Sequence, residues 1–169
     1  MTWKTILSFI VIATLLILLS GWLIKANLLP IQTEINYSAA EQNFVKVWVK
    51  IALMIGLLLP GITFLVGIGN PQLRTVFGFY LLVLIVQLLT ERIANRVFSS
   101  SLLVIVGTIY TIFRVWQIWQ GQQFLKLNIQ SNILSFASFS IAPLLLWLML
   151  LFWAANIIFL LVVGWSRIL

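Results

Sequence analysis

Five apolar runs, each long enough to cross a lipid bilayer, dominate this chain: residues 5–24, 47–66, 72–90, 97–119 and 142–165. A hydrocarbon core about 30 Å thick needs about 20 consecutive apolar residues in helical form. Inside it each backbone N–H and C=O must be bonded within the chain, which a helix does with its own residues. A soluble fold of 169 residues that is 63% hydrophobic and 8% charged could not cover its own apolar surface. The expected fold class is therefore an all-α integral membrane protein. A bundle of about five transmembrane helices would form one membrane-embedded domain over residues 1–169, since no polar stretch is long enough for a separate core.

The missing residue types narrow the chemistry. Cysteine and histidine are absent, and the acidic side chains are Glu34, Glu41 and Glu91. That leaves no thiolate, no imidazole base and no usual ligand for zinc or haem. The expectation is a non-enzymatic protein without metal or cofactor. The net charge of +7 comes from basic residues spread singly along the edges of the apolar runs. Such a pattern fits topology signals and lipid headgroups rather than nucleic acid. The partners expected are the lipid bilayer and other membrane proteins, or further copies of this chain.

The first run lies between Lys4 and Lys25, with Trp3 and Trp22 at its two ends, and reads as an uncleaved anchor. Ser38-Ala39-Ala40-Glu41 has the spacing of a capping box ahead of the second run. Gly67 to Pro71 reads as a tight turn, with a left-handed glycine ending one helix and Asn70 capping the next. Ser99, Ser100 and Ser101 suit a helix start or a contact with a neighbouring helix. Between Gln120 and Ser140 the apolar residues Leu125, Ile129, Ile133 and Phe136 recur at helical spacing, which predicts a helix lying along the membrane surface. With five spans, Lys25, Lys46, Lys50, Arg92, Arg96 and Arg167 fall on one side, and Lys4, Arg74, Arg114 and Lys126 on the other. The positive-inside rule then places the C-terminus in the cytoplasm or its equivalent.

Three groups of residues are candidates for function. Gln87, Glu91 and Asn95 fall on one face if the third helix continues past Thr90. A carboxylate at such a boundary can bind an ion or a partner, or it can mark a helix end turning polar and pair with Lys46 or Lys50. Ala52, Gly56, Pro60 and Gly61 break the second span and offer close helix packing. A broken helix can show carbonyls to a solute, and small residues admit a neighbouring helix. Trp3, Trp22, Trp48, Arg114, Trp116 and Trp119 are expected at the interfaces, Arg114 by extending its side chain to the headgroups. Trp147, Phe152 and Trp153 form an aromatic group deep in the fifth span.

The stretch Asn70-Pro71-Gln72-Leu73-Arg74-Thr75-Val76-Phe77-Gly78-Phe79-Tyr80, together with the turn from Glu91 to Arg96, resembles small multi-span membrane proteins of unknown function from cyanobacteria and plastids. The resemblance implies a thylakoid or plasma-membrane location and brings no functional residues with it. The function expected from these features is that of an accessory subunit, or an assembly or stabilising factor, of a membrane complex. The alternative is a small oligomeric carrier or channel for an ion or solute, using the polar face of the third span.

Overall fold

In the computed structural model, which describes residues 2–35, 37–129 and 136–169, the described residues form helices and no strand. They are α1 (Trp3–Lys25), α2 (Ala39–Leu53), α3 (Leu59–Val66), α4 (Pro71–Val97), α5 (Leu102–Ile129) and α6 (Phe136–Phe159). A π-helical turn, Met54–Leu58, joins α2 to α3, and a second, Leu160–Gly164, extends α6 into a short 3₁₀ turn at Trp165–Arg167. Taken as continuous rods, they make five helices long and apolar enough to cross a membrane.

Local chemistry sets most of the ends. Ser38 Oγ accepts from Glu41 N at 3.3 Å while Glu41 Oε2 accepts from Ser38 N at 2.8 Å, closing the capping box. Asn70 Oδ1 accepts from the backbone N–H groups of Gln72 and Leu73 at 3.0 and 3.3 Å, with Pro71 at the first helical position. Gly67 departs from expectation. Its φ of −86° is not left-handed. What requires glycine there is crowding, because a methyl group built on it would lie 2.9 Å from the Thr63 carbonyl oxygen and 3.0 Å from Leu73 Cβ. Among the described residues the positive φ belongs to Asn27, just after α1.

The helices run beyond the apolar runs that announce them. α5 continues from the fourth run to Ile129. The surface helix expected over 120–140 is thus corrected at its first half: Gln122 and Leu125 are buried, so this part of α5 packs into the bundle. Residues 130–135 lie outside the described residues, and α6 begins at Phe136.

α5 is the centre of the fold. Within its apolar window 56% is buried, against 11% for the second span and 22% for the first and fifth. One core cluster joins α4, α5 and α6 around Phe77, Tyr80, Ile118, Leu146, Met149 and Trp153. The other joins α1, α4 and α5 around Ile6, Ile17, Val83, Val106 and Tyr110. The connection before α2 is laced to the turn before α5 and to the C-terminal turn: Ser101 Oγ donates to Gln32 O, Ile35 N donates to Ser100 Oγ at 3.3 Å, and Gln32 N donates to Ile168 O at 2.8 Å. Arg167 and Glu41 form an ion pair across the same end, with Nε to Oε1 at 3.1 Å.

Candidate functional site

Among the described residues Arg114 is the largest wholly buried side chain. Its expected role as an interfacial anchor is overturned by the length of α5. At a 1.5 Å rise per residue it sits about 18 Å beyond Leu102 and about 22 Å before Ile129. The side chain reaches neither end of α5 and is wholly buried in the bundle. Its face of α5 is the inner one, shared with the buried Thr111 and Gln122.

A hydrogen-bonded chain links this cation to α4. Arg114 Nη2 donates to Gln87 Oε1, and Gln87 Nε2 donates to Glu91 Oε1 at 2.5 Å. Residues four apart share a helix face, so the sequence placed Gln87 and Glu91 together correctly. Asn95 does not join them, being exposed farther along α4. Nor does Glu91 form an ion pair with Lys46 or Lys50, which are exposed on α2.

Two aromatic rings cover the guanidinium. Its central carbon lies 4.2 Å from the Trp153 ring centroid and 5.5 Å from that of Tyr80, an arrangement that partly offsets the lost hydration of a cation. Trp153 Nε1 donates to the Tyr80 hydroxyl at 3.0 Å, and that hydroxyl donates to Gly56 O at 2.9 Å. Pro60 has no N–H to give a carbonyl of the preceding turn, the π turn that contains Gly56. Tyr80 supplies a donor there, so the Gly56 carbonyl at the break is occupied by the chain itself. Gly56 lies against Trp153, whereas Gly61 has nothing within 4 Å of a built methyl group. Of the four small or breaking residues, Gly56 and Pro60 are buried at the site, Ala52 lines its wall, and Gly61 contributes no contact there.

Trp48 also leaves its expected interfacial role. Its Nε1 donates to Asn156 Oδ1 at 2.7 Å, and Asn156 Nδ2 donates to Thr111 Oγ1 at 3.1 Å. Stacking on Phe152 at 5.2 Å holds the ring against α6. Trp3, Trp22, Trp116 and Trp119 do present themselves outward. The deep aromatic group divides: Trp153 turns inward to Arg114, while Trp147 faces outward, edge-on to Trp119 at 6.3 Å.

Between α2 on one side and α4, α5 and α6 on the other lies a cavity of about 340 Å³. Gln87, Glu91, Arg114, Thr111, Asn156 and Trp153 contribute to its lining, and Tyr37 stands at the rim. Burial, and then the charge of Glu41, raise the Tyr37 hydroxyl above its ordinary pKa. Exposed Leu53, Leu57 and Leu88 border the gap between α2 and α4. Nε and Nη1 of Arg114 have no hydrogen-bond partner among the described residues. Sequence reading missed Tyr80, Thr111 and Trp153 as parts of this site. The available signal was the helical spacing of Thr111, Arg114 and Gln122, three polar residues on one side of an apolar helix.

Tyr80→Phe removes one hydroxyl that serves two buried groups, Gly56 O and the Trp153 indole N–H. The expected loss is about 1–3 kcal/mol of unfolding free energy, measured by denaturant titration in detergent. A loss below about 0.5 kcal/mol would show that these bonds do not hold the break together.

Comparison with known protein families, with curated proteins and with solved structures finds no match.

Proposed function

We propose that this chain is a non-catalytic membrane protein that binds a small molecule within the bilayer, as a carrier of that molecule. The observation that supports this reading most directly is the cavity of about 340 Å³ with a buried guanidinium at its wall. That volume falls in the range of small-molecule sites, about 300–1,000 Å³. Polar groups from α2, α4, α5 and α6 converge on it in an otherwise apolar protein, and intramembrane charges are costly and rare, and commonly mark such sites. A subunit that only packs against partners has no use for a hollow lined in this way, so the carrier reading moves ahead of the accessory-subunit reading. With Arg114 taken out of the count, six basic residues on the Tyr37 side face three, Lys4, Arg74 and Lys126, on the other. The positive-inside rule then puts the cavity rim toward the cytoplasm or its equivalent.

The test is to purify the protein in a mild detergent and extract it with organic solvent, then identify the retained molecules by mass spectrometry. One class of small molecule should be retained near stoichiometrically by the native protein and lost from Ala52→Trp, which fills the wall between α2 and α6. The same unselective lipid mixture from both proteins would refute the reading.

A further inference from the structure

We infer that the cavity takes an anion-headed amphiphile, with a carboxylate or phosphate oxygen at Arg114 and a hydrocarbon tail leaving between α2 and α4. This rests on the reading that the cavity holds a ligand and adds the chemical class of that ligand. A guanidinium carries five N–H donors in a planar fork and no acceptor. In Arg114 one nitrogen is bonded to Gln87, while Nε and Nη1, both fully buried, have no acceptor among the described residues. Native structures rarely leave buried polar groups bare, and a buried cation without acceptors is among the most costly cases.

The neighbours meet that need only in part. Trp153 and Tyr80 cover the guanidinium with their rings, and the indole N–H is itself a donor. The Tyr80 hydroxyl donates to Gly56 O and accepts from the Trp153 indole, which leaves one lone pair for the guanidinium. Glu91 is held one amide away, because Gln87 occupies the position between carboxylate and cation. Two unbonded guanidinium nitrogens at the wall of a cavity thus leave room for an acceptor from outside the described residues. A carboxylate or phosphate oxygen accepts without donating, and its charge strengthens the bond in a medium of low dielectric.

The shape of the cavity supplies the rest of the class. Its mouth is edged by Leu53, Leu57 and Leu88, which are 47%, 38% and 42% exposed on the outer surface of helices long and apolar enough to cross a membrane. A molecule that enters there carries an apolar portion past these side chains while its head reaches Arg114. A free inorganic anion would have no reason to use this route.

The experiment measures binding to delipidated protein by native mass spectrometry, with hexadecanoate, hexadecyl phosphate, hexadecanol and inorganic phosphate as probes. Both anionic amphiphiles are expected to bind at least about tenfold more tightly than hexadecanol, and inorganic phosphate is expected not to bind. Their ratio shows which head the site prefers. Arg114→Gln should erase the preference over hexadecanol. Arg114→Lys should restore it in part, since lysine keeps the charge without the planar fork. Hexadecanol binding as tightly as hexadecanoate to the native protein would overturn the headgroup assignment yet leave the ligand-binding reading standing. This comparison needs no variant to fold. Undiminished hexadecanoate binding by Arg114→Gln would overturn the assignment as well. Binding of inorganic phosphate as tight as that of hexadecyl phosphate would overturn the amphiphile. Failure of every probe would remove both the assignment and the reading on which it rests.

Discussion

Gly56→Leu is expected to lower the unfolding free energy by about 3 kcal/mol and to loosen the whole Arg114 surround. A methyl group at this position already falls 2.7 Å from Trp153 Cζ2. The indole cannot simply swing aside, because its N–H is bonded to Tyr80 and its face lies against the Arg114 guanidinium. Overpacking a close-packed interior costs about 1–3 kcal/mol, and losing the indole bond adds about 1 kcal/mol more. Gly61→Leu, only a turn and a half away, is the control. A methyl group built there meets no neighbouring atom within 4 Å, so the change should be neutral or slightly stabilising through the higher helix propensity of leucine. Chemical denaturation of the two variants in the same detergent makes the comparison. Equal losses would mean that the second span does not rest on Trp153 through Gly56.

Arg114→Met and Glu91→Gln are expected to be less damaging together than their separate losses add up to. Each single change strips one charge from a pair connected by Gln87 and leaves the other charge in a poorly solvated site. Removing one member of a buried pair is the costly act, whereas replacing both is often close to neutral. The coupling should be about 1–3 kcal/mol, the range found for residues of one network. It is best measured as a double-mutant cycle on ligand-free protein. Additivity within about 0.5 kcal/mol would mean that Gln87 carries no coupling between cation and carboxylate.

The number of spans was legible because long apolar runs have one economical use, and their capped starts were legible because Ser38, Glu41 and Asn70 act on backbone groups a few residues away. The far ends were harder. Gln117, Gly121 and Gln122 look like the edge of a span, yet they are buried against neighbouring helices, and α5 runs on. That extension is why Arg114 was misjudged: an arginine near the end of a short helix can reach headgroups, and one in the middle of a long helix cannot. Gln87 and Glu91 could be placed together because helical spacing fixes shared faces within one element. Their meeting with Arg114, and the inward turn of Trp48 and Trp153, depend on which faces of different helices touch. No periodicity within a single helix holds that information, least of all in lipid, where apolar residues point both inward and outward.

The π turn at Met54–Leu58 behaves as a one-residue insertion in an otherwise regular rod. An α-helix advances about 100° per residue, and a π turn accommodates one residue more than an α turn. Deleting a single residue there would let the rod close into ordinary helix and turn its two halves against each other by about that angle. With Gly56 still seated on Trp153, the Trp48 indole would swing away from Asn156 toward the lipid. The wall of the hollow is thus set by the phase of a helix as much as by the side chains on it.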